Sequence, residues 1–168
     1  MKNAVLYVHG KGGSAVECEH YKPLFPEYDV FGLDYQTFTP WETGAEVRSA
    51  VKKLKTEYDS IILIASSIGA YFSMNADIDA MIEKAYFISP IVDMEKLITD
   101  MMVWANVTED ELKKKGIIRT SFGEDLSWGY LCYIQSNGTH RPLFSTAARI
   151  TSHHMKQLQG LPKSTTHN

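Results

Sequence analysis

Residues 60–65 read Ser-Ile-Ile-Leu-Ile-Ala, with four large aliphatic side chains in a row and no polar alternation. A strand points successive side chains to opposite faces. A run that is apolar at every position must therefore be covered on both faces, as happens to an inner strand of a parallel sheet. Three other runs belong to the same series. Residues 4–8 (AVLYV) end at His9-Gly10, residues 29–33 (DVFGL) follow, and residues 85–88 (AYFI) end at Ser89-Pro90.

Between these runs the period changes. Residues 43–57 carry Val47, Ala50, Val51 and Leu54 at spacings of three and four, with charges elsewhere, which predicts an amphipathic helix. Residues 68–81 are small and apolar, as in a buried helix, and residues 94–105 are apolar with Met101, Met102 and Trp104. Residues 108–115 open with Thr-Glu-Asp-Glu and close on lysines, the charge order that suits a capped helix. Strands alternating with helices predict βαβ units: an α/β chain with a three-layer αβα arrangement and a mostly parallel sheet. The character changes near Asn137. Residues 138–168 show no strand of the earlier kind and no clean helical period. They are rich in Thr, Ser and His and close on Leu-Pro-Lys-Ser-Thr-Thr-His-Asn, a composition that reads as disordered. The expected organisation is a core over residues 1–136, with a short helical cap around 94–128, and an atypical tail over 137–168.

Composition removes several classes of function. The 168 residues suit one domain, and a formal net charge of -3 offers no basic face for nucleic acid. No apolar run approaches the roughly 20 residues of a membrane helix. The apolar stretch near the start, residues 4–8, is too short for a signal-peptide core, so the expected location is the cytoplasm. Cys18 and Cys132 form no disulfide framework and read as free thiols.

Two turns carry the chemistry. The purest strand run leads into Ala65-Ser66-Ser67-Ile68-Gly69, and a helical stretch follows. This is the strand–turn–helix setting of the G-x-S-x-G nucleophile elbow, with Ala65 in place of the first glycine. Small residues two positions either side keep strand and helix from crowding a serine held in a strained backbone. The same turn would aim the Ile68 amide and the positive helix end at the reaction centre. A serine-rich turn that merely caps a helix is the plain alternative. The second turn, His9-Gly10-Lys11-Gly12-Gly13, directly follows the first strand. Its backbone amides could hold a developing oxyanion. It matches neither G-x-x-x-x-G-K-[ST] nor G-x-G-x-x-G. His9 reads as a structural residue bonding the loop.

Together the two turns resemble the α/β-hydrolase superfamily over residues 4–136, in the manner of small members that begin directly at the His-Gly strand. The resemblance implies Ser67 as nucleophile, with Lys11 and Ile68 supplying the oxyanion amides. His9, Gly10, Gly12, Gly13, Ala65 and Gly69 would support the two motifs. Ser89-Pro90 resembles the start of the family's next βα unit. Trp104 and Trp128 are candidates to line an acyl pocket, or are simply core.

The family's acid and histidine follow the serine in that order. Neither is evident here. Asp93 could serve as acid in a variant arrangement or cap the helix that begins at Met94. His140, His153, His154 and His167 match no standard metal site, and the reading calls for no metal and no cofactor. Read one base earlier in each codon, with the wobble bases chosen freely, residues 143–148 can become Leu-Val-Leu-Tyr-Gly-Gly and residues 149–153 Ala-Asp-Asn-Leu-Thr. That is the strand and acid turn the family would place there. The expectation is a chain truncated or frameshifted after about Asn137. Ser67 would then lack a base, and an exposed sheet edge would favour self-association. Three readings stand. The first is a serine hydrolase of a small-molecule ester, thioester or amide. The second is an inactive pseudo-hydrolase or fragment with a binding role. The third is a nucleotide-binding α/β protein using residues 10–14 as an anion loop.

Overall fold

The computed structural model describes residues 1–137 and 147–150. They divide between two compact units, residues 1–90 with 147–150 and the described part of residues 91–142.

The first unit is built on a parallel sheet. Strands β1 (Asn3–Val8), β2 (Asp29–Leu33), β3 (Ser60–Ser66), β4 (Lys84–Ile88) and β7 (Ala147–Ile150) lie in the order β2-β1-β3-β4-β7. β1 pairs with β2 on one side and β3 on the other, with Leu6 opposite both Phe31 and Leu63. The unalternated runs are explained by cover on both faces. Leu6, Val8, Ile61, Leu63 and Ala65 pack with Val47 and Val51 of helix α1 (Pro40–Lys55) and with Phe72 of helix α2 (Ile68–Met74). Val5, Tyr7, Ile62 and Ile64 face the other way, against Cys18 and Tyr21 of a 3-10 helix over Ala15–Leu24. That 3-10 helix crosses Gly32 so closely that a methyl group there would lie 1.9 Å from the Ala15 carbonyl oxygen.

Local chemistry sets the element ends, and in places it overrides the periodicity. α1 begins at Pro40, earlier than the apolar period suggests, because Thr39 caps it by accepting the Glu42 amide and Pro40 suits the first turn. The helix expected over 68–81 stops at Met74. Asn75 turns its side-chain amide onto the Tyr71 carbonyl, and Asp77 takes a left-handed φ of 51°. A short 3-10 turn, Asp79–Met81, replaces the remainder.

The second unit comprises α3 (Met94–Trp104), α4 (Glu109–Lys115), an antiparallel pair β5 (Ile117–Arg119) and β6 (Asp125–Ser127), and α5 (Trp128–Asn137). Ile98, Met102, Leu112, Leu126, Leu131 and Ile134 are its buried side chains. The β5–β6 hairpin thus lies among the helices of the stretch read as a short helical cap around 94–128. Gly116 (φ 75°) ends α4 and Gly123 (φ 85°) closes the hairpin turn, both in backbone that glycine adopts without strain. Within the stretch read as having no strand of the earlier kind, residues 147–150 form β7. β7 pairs parallel with β4, Ala85 opposite Ala147 and Ile88 opposite Ile150. Strand pairing runs through backbone amides and carbonyls, so it needs no apolar run to announce it. His140, His153, His154 and His167 lie outside the described residues. Among the described residues no helix is long and apolar enough to cross a membrane.

Candidate active site

β1 and β3 are neighbours, so the segments after Val8 and Ser66 leave the same carboxyl edge of the sheet side by side. That edge is where open α/β sheets hold their ligands. At the end of β3 the chain turns into α2 through a single residue, Ser67, with φ 50° and ψ -119°. A non-glycine residue with positive φ is strained by roughly 1–3 kcal/mol and persists only where its surroundings enforce it. Here they do. The Ser67 amide donates to the Ile88 carbonyl (2.9 Å), tying the turn to the end of β4, and the Ser67 carbonyl accepts from the Ala70 amide (3.2 Å). Ala65 is fully buried, paired with both Val8 and Phe87.

The glycines explain how the corner closes. A methyl group on Gly69 would lie 2.2 Å from the His9 carbonyl oxygen and 2.8 Å from that of Val8. The first turn of α2 therefore rests directly on the β1 backbone. A methyl on Gly10 would lie 3.1 Å from Cβ of Ser67, so the loop after β1 passes against the serine itself.

That loop is a tight turn. The Gly13 amide donates to the Gly10 carbonyl (3.1 Å), Gly12 takes φ 74°, and Lys11 and Gly12 stand exposed at the tip. His9 is buried and committed to the loop. Its Nδ1 lies 2.8 Å from the Gly10 carbonyl oxygen, and its ring stacks on Tyr35 at 4.2 Å and 11°. The Tyr35 hydroxyl donates to the His9 carbonyl (2.9 Å). Burial, and after it the negative charges of Glu17 and Glu46, push the Tyr35 phenol up to about 12, so it stays a donor at neutral pH. The loop leads into a 3-10 helix rather than the α-helix that an anion loop of the nucleotide-binding kind requires.

No protein-family model matches the sequence, and no curated protein sequence does. Solved structures do. Est1E from Butyrivibrio proteoclasticus superposes with a TM-score of 0.59 at 13% identity, over 94% of this chain and 83% of that one. The mature form of the Bacillus licheniformis lipase BlEst2 gives 0.56 at 15% identity, over 89% of this chain and 64% of the lipase. A lipase-esterase related protein from Clostridium acetobutylicum gives 0.50 at 18% identity, over 68% of this chain and 54% of that one. The chain has the α/β-hydrolase fold. It spans 64% and 54% of the lengths of the last two structures. At these identities the likeness extends to the fold, and activity has to be argued from the site.

Within that fold, Ser67 sits at the strand-to-helix corner and the glycine turn of β1 lies beside it. Among the described residues no side chain hydrogen-bonds the Ser67 hydroxyl, and no three His, Cys, Asp or Glu side chains converge as a metal site. Asp93 caps α3, its carboxylate accepting the Lys96 amide at 2.9 Å. Trp104 is exposed with its ring edge-on to Phe122 at 6.4 Å, and the Lys113 ammonium sits 5.7 Å over the Trp128 ring. Sequence reasoning missed two residues that hold the loop, Tyr35 and Glu17. Glu17 had a legible cue, standing three residues after Ser14 in a capping-box pattern. Tyr35 had none.

Proposed function

We propose that this chain is a serine hydrolase of the α/β-hydrolase type, with Ser67 as the nucleophile toward an ester, thioester or amide of a small molecule. The observation that carries the reading is the strained Ser67 backbone, wedged where only glycine fits at position 69 and where a methyl on Gly10 would press on the serine's Cβ. Strain at a position so closely packed is the mark of a site rather than of a cap. In the proposed reaction the Ser67 Oγ bonds to the acyl carbon and its proton passes to a base. The carbonyl oxygen becomes an oxyanion, accepting hydrogen bonds from the Lys11 and Ile68 amides. Collapse expels the leaving group with a proton, and water then cleaves the acyl-enzyme to the acid and free Ser67.

A serine hydroxyl is a weak nucleophile without a base. Since nothing among the described residues bonds the Ser67 hydroxyl, the second reading is an inactive or impaired pseudo-hydrolase that keeps the binding surface. A fluorophosphonate probe separates the two. Labelling of the folded protein that vanishes in Ser67→Ala supports the hydrolase. Folded wild type that takes no label leaves the pseudo-hydrolase.

A further inference from the structure

The carboxylate of Glu17 does more than start the 3-10 helix. Its Oε2 accepts the Tyr7 hydroxyl at 2.6 Å, and its Oε1 accepts the Ser14 amide at 3.3 Å. The Glu17 amide returns a hydrogen bond to the Ser14 carbonyl at 3.1 Å. The same carboxylate lies against the α-carbon of Gly13, where an added methyl would stand 2.8 Å from Oε1 and 3.1 Å from Oε2. Tyr7 is only 3% exposed and belongs to β1, held on both sides by β2 and β3. β1 also delivers His9 to the entrance of the glycine turn. The turn is therefore fastened at both ends to one strand: at its entrance through the chain itself, and at its exit through the Glu17–Tyr7 pair. Burial, and then the Glu17 hydrogen bond, hold the Tyr7 phenol far above its ordinary value, so the donor is not lost at any physiological pH.

We propose that Glu17, gripped by Tyr7, is a positioning residue that sets the geometry of the residue 10–14 turn and so of the Lys11 amide, the donor that the hydrolase reading assigns to the oxyanion. The inference rests on the hydrolase reading for its catalytic meaning, and on the hydrogen bonds and the Gly13 contact for its structural part. An oxyanion donor acts only if it is already aimed when charge develops. A turn held at one end alone would have to be ordered during the reaction.

The test uses the full chain and two readouts. Glu17→Gln keeps the size but cannot accept both donors with both side-chain atoms; Tyr7→Phe removes only the hydroxyl. In each, the amides of residues 11–14 should exchange with solvent roughly five to ten times faster, the size expected for one lost hydrogen bond, while amides of α2 stay as in wild type. The fluorophosphonate labelling rate should fall about tenfold at saturating probe, with half-saturation unchanged, since a misaimed oxyanion donor weakens the transition state more than binding. A double-mutant cycle guards against simple misfolding. Gly13→Ala should disturb the turn amides strongly in wild type and little in Glu17→Ala, where the group it collides with is gone. Unchanged turn amides in folded Glu17→Gln, or a Gly13→Ala effect that persists in Glu17→Ala, would overturn the grip. Faster exchange with an unchanged labelling rate would overturn the catalytic role. Absence of label from folded wild type would instead overturn the Ser67 reading, while the exchange result still decides the grip.

Discussion

Two neighbouring strands end in the same unusual way and then part company. Ser67 follows β3 with φ 50°, and Ser89 follows β4 with φ 45°. The strands pair in register up to Ser66 opposite Ile88, so the two serines leave the sheet side by side. Beyond that they differ. Ser67 opens a helix at once, is half-buried, and is pressed between the backbone of Gly10 and the first turn of α2. Ser89 is exposed, Pro90 follows it, and the chain does not enter a helix until Met94. Positive φ at a serine is thus not by itself an elbow. What distinguishes Ser67 is its packing: the backbone at the end of β1 excludes a side chain from Gly69, and the Gly10 α-carbon lies close against the serine's Cβ.

The sharpest way to break this comparison is Gly69→Ala. The methyl would meet carbonyl oxygens of β1, which cannot swing aside as a side chain could. A loss of about 3 kcal/mol or more is expected in denaturant unfolding, against less than about 0.5 kcal/mol for Ser89→Ala at its exposed site. Gly69→Ala with wild-type stability would mean that α2 does not lean on β1.

Tyr35→Phe comes next, because Tyr35 holds the His9 carbonyl that faces Gly69. Losing that bond should cost about 1–3 kcal/mol at neutral pH. The sign of the pH effect follows from burial. The folded phenol, at about 12, keeps its proton more tightly than the unfolded one at 10.0. Its contribution is complete below pH 10 and is lost as pH rises through 12. Wild type should therefore lose stability across that window more steeply than Tyr35→Phe, as followed by urea unfolding at stepped pH. Parallel curves would contradict the shift.

Gly10→Ala is gentler, since its methyl would stand 3.1 Å from Cβ of Ser67 and 3.4 Å from the Ser66 carbonyl oxygen, without the overlap found at Gly69. A cost near 1 kcal/mol is expected, with fluorophosphonate labelling slowed about tenfold as the serine is displaced. The smallest effects on stability sharpen the comparison most. Ser67→Gly and Ser89→Gly each relieve a strained φ and should stabilise the fold by about 0.5–1 kcal/mol against the matching alanine variants. Only Ser67→Gly should abolish labelling. Label lost equally in Ser89→Gly would erase the distinction between the two strand ends.

Much of this fold was legible in residues that admit one solution. The SIILIA run of β3 needed cover on both faces and has it. The four apolar runs became β1 to β4, and Thr-Glu-Asp-Glu began α4 where its cap and charges placed it. The tight strand-to-helix turn at Ser67 could be read because glycine and alanine at fixed spacing leave room that larger residues would fill. Less legible were elements held by backbone pairing or by single left-handed residues: the β5–β6 hairpin, the 3-10 helix of Ala15–Leu24, and β7. Their side chains carry no periodic pattern.

The sequence by itself determined the order of strands and helices, the parallel sheet and the position of the serine turn, because hydrophobic period and small-residue spacing are local quantities. Only the tertiary structure decided that Gly69 lies on the His9 carbonyl, that Tyr35 and Glu17 hold the neighbouring turn, and that Asp93 spends its carboxylate on a helix cap. Those are contacts between residues distant in sequence, or choices between partners of nearly equal chemistry. Their outcome is fixed by where the packed sheet brings each backbone.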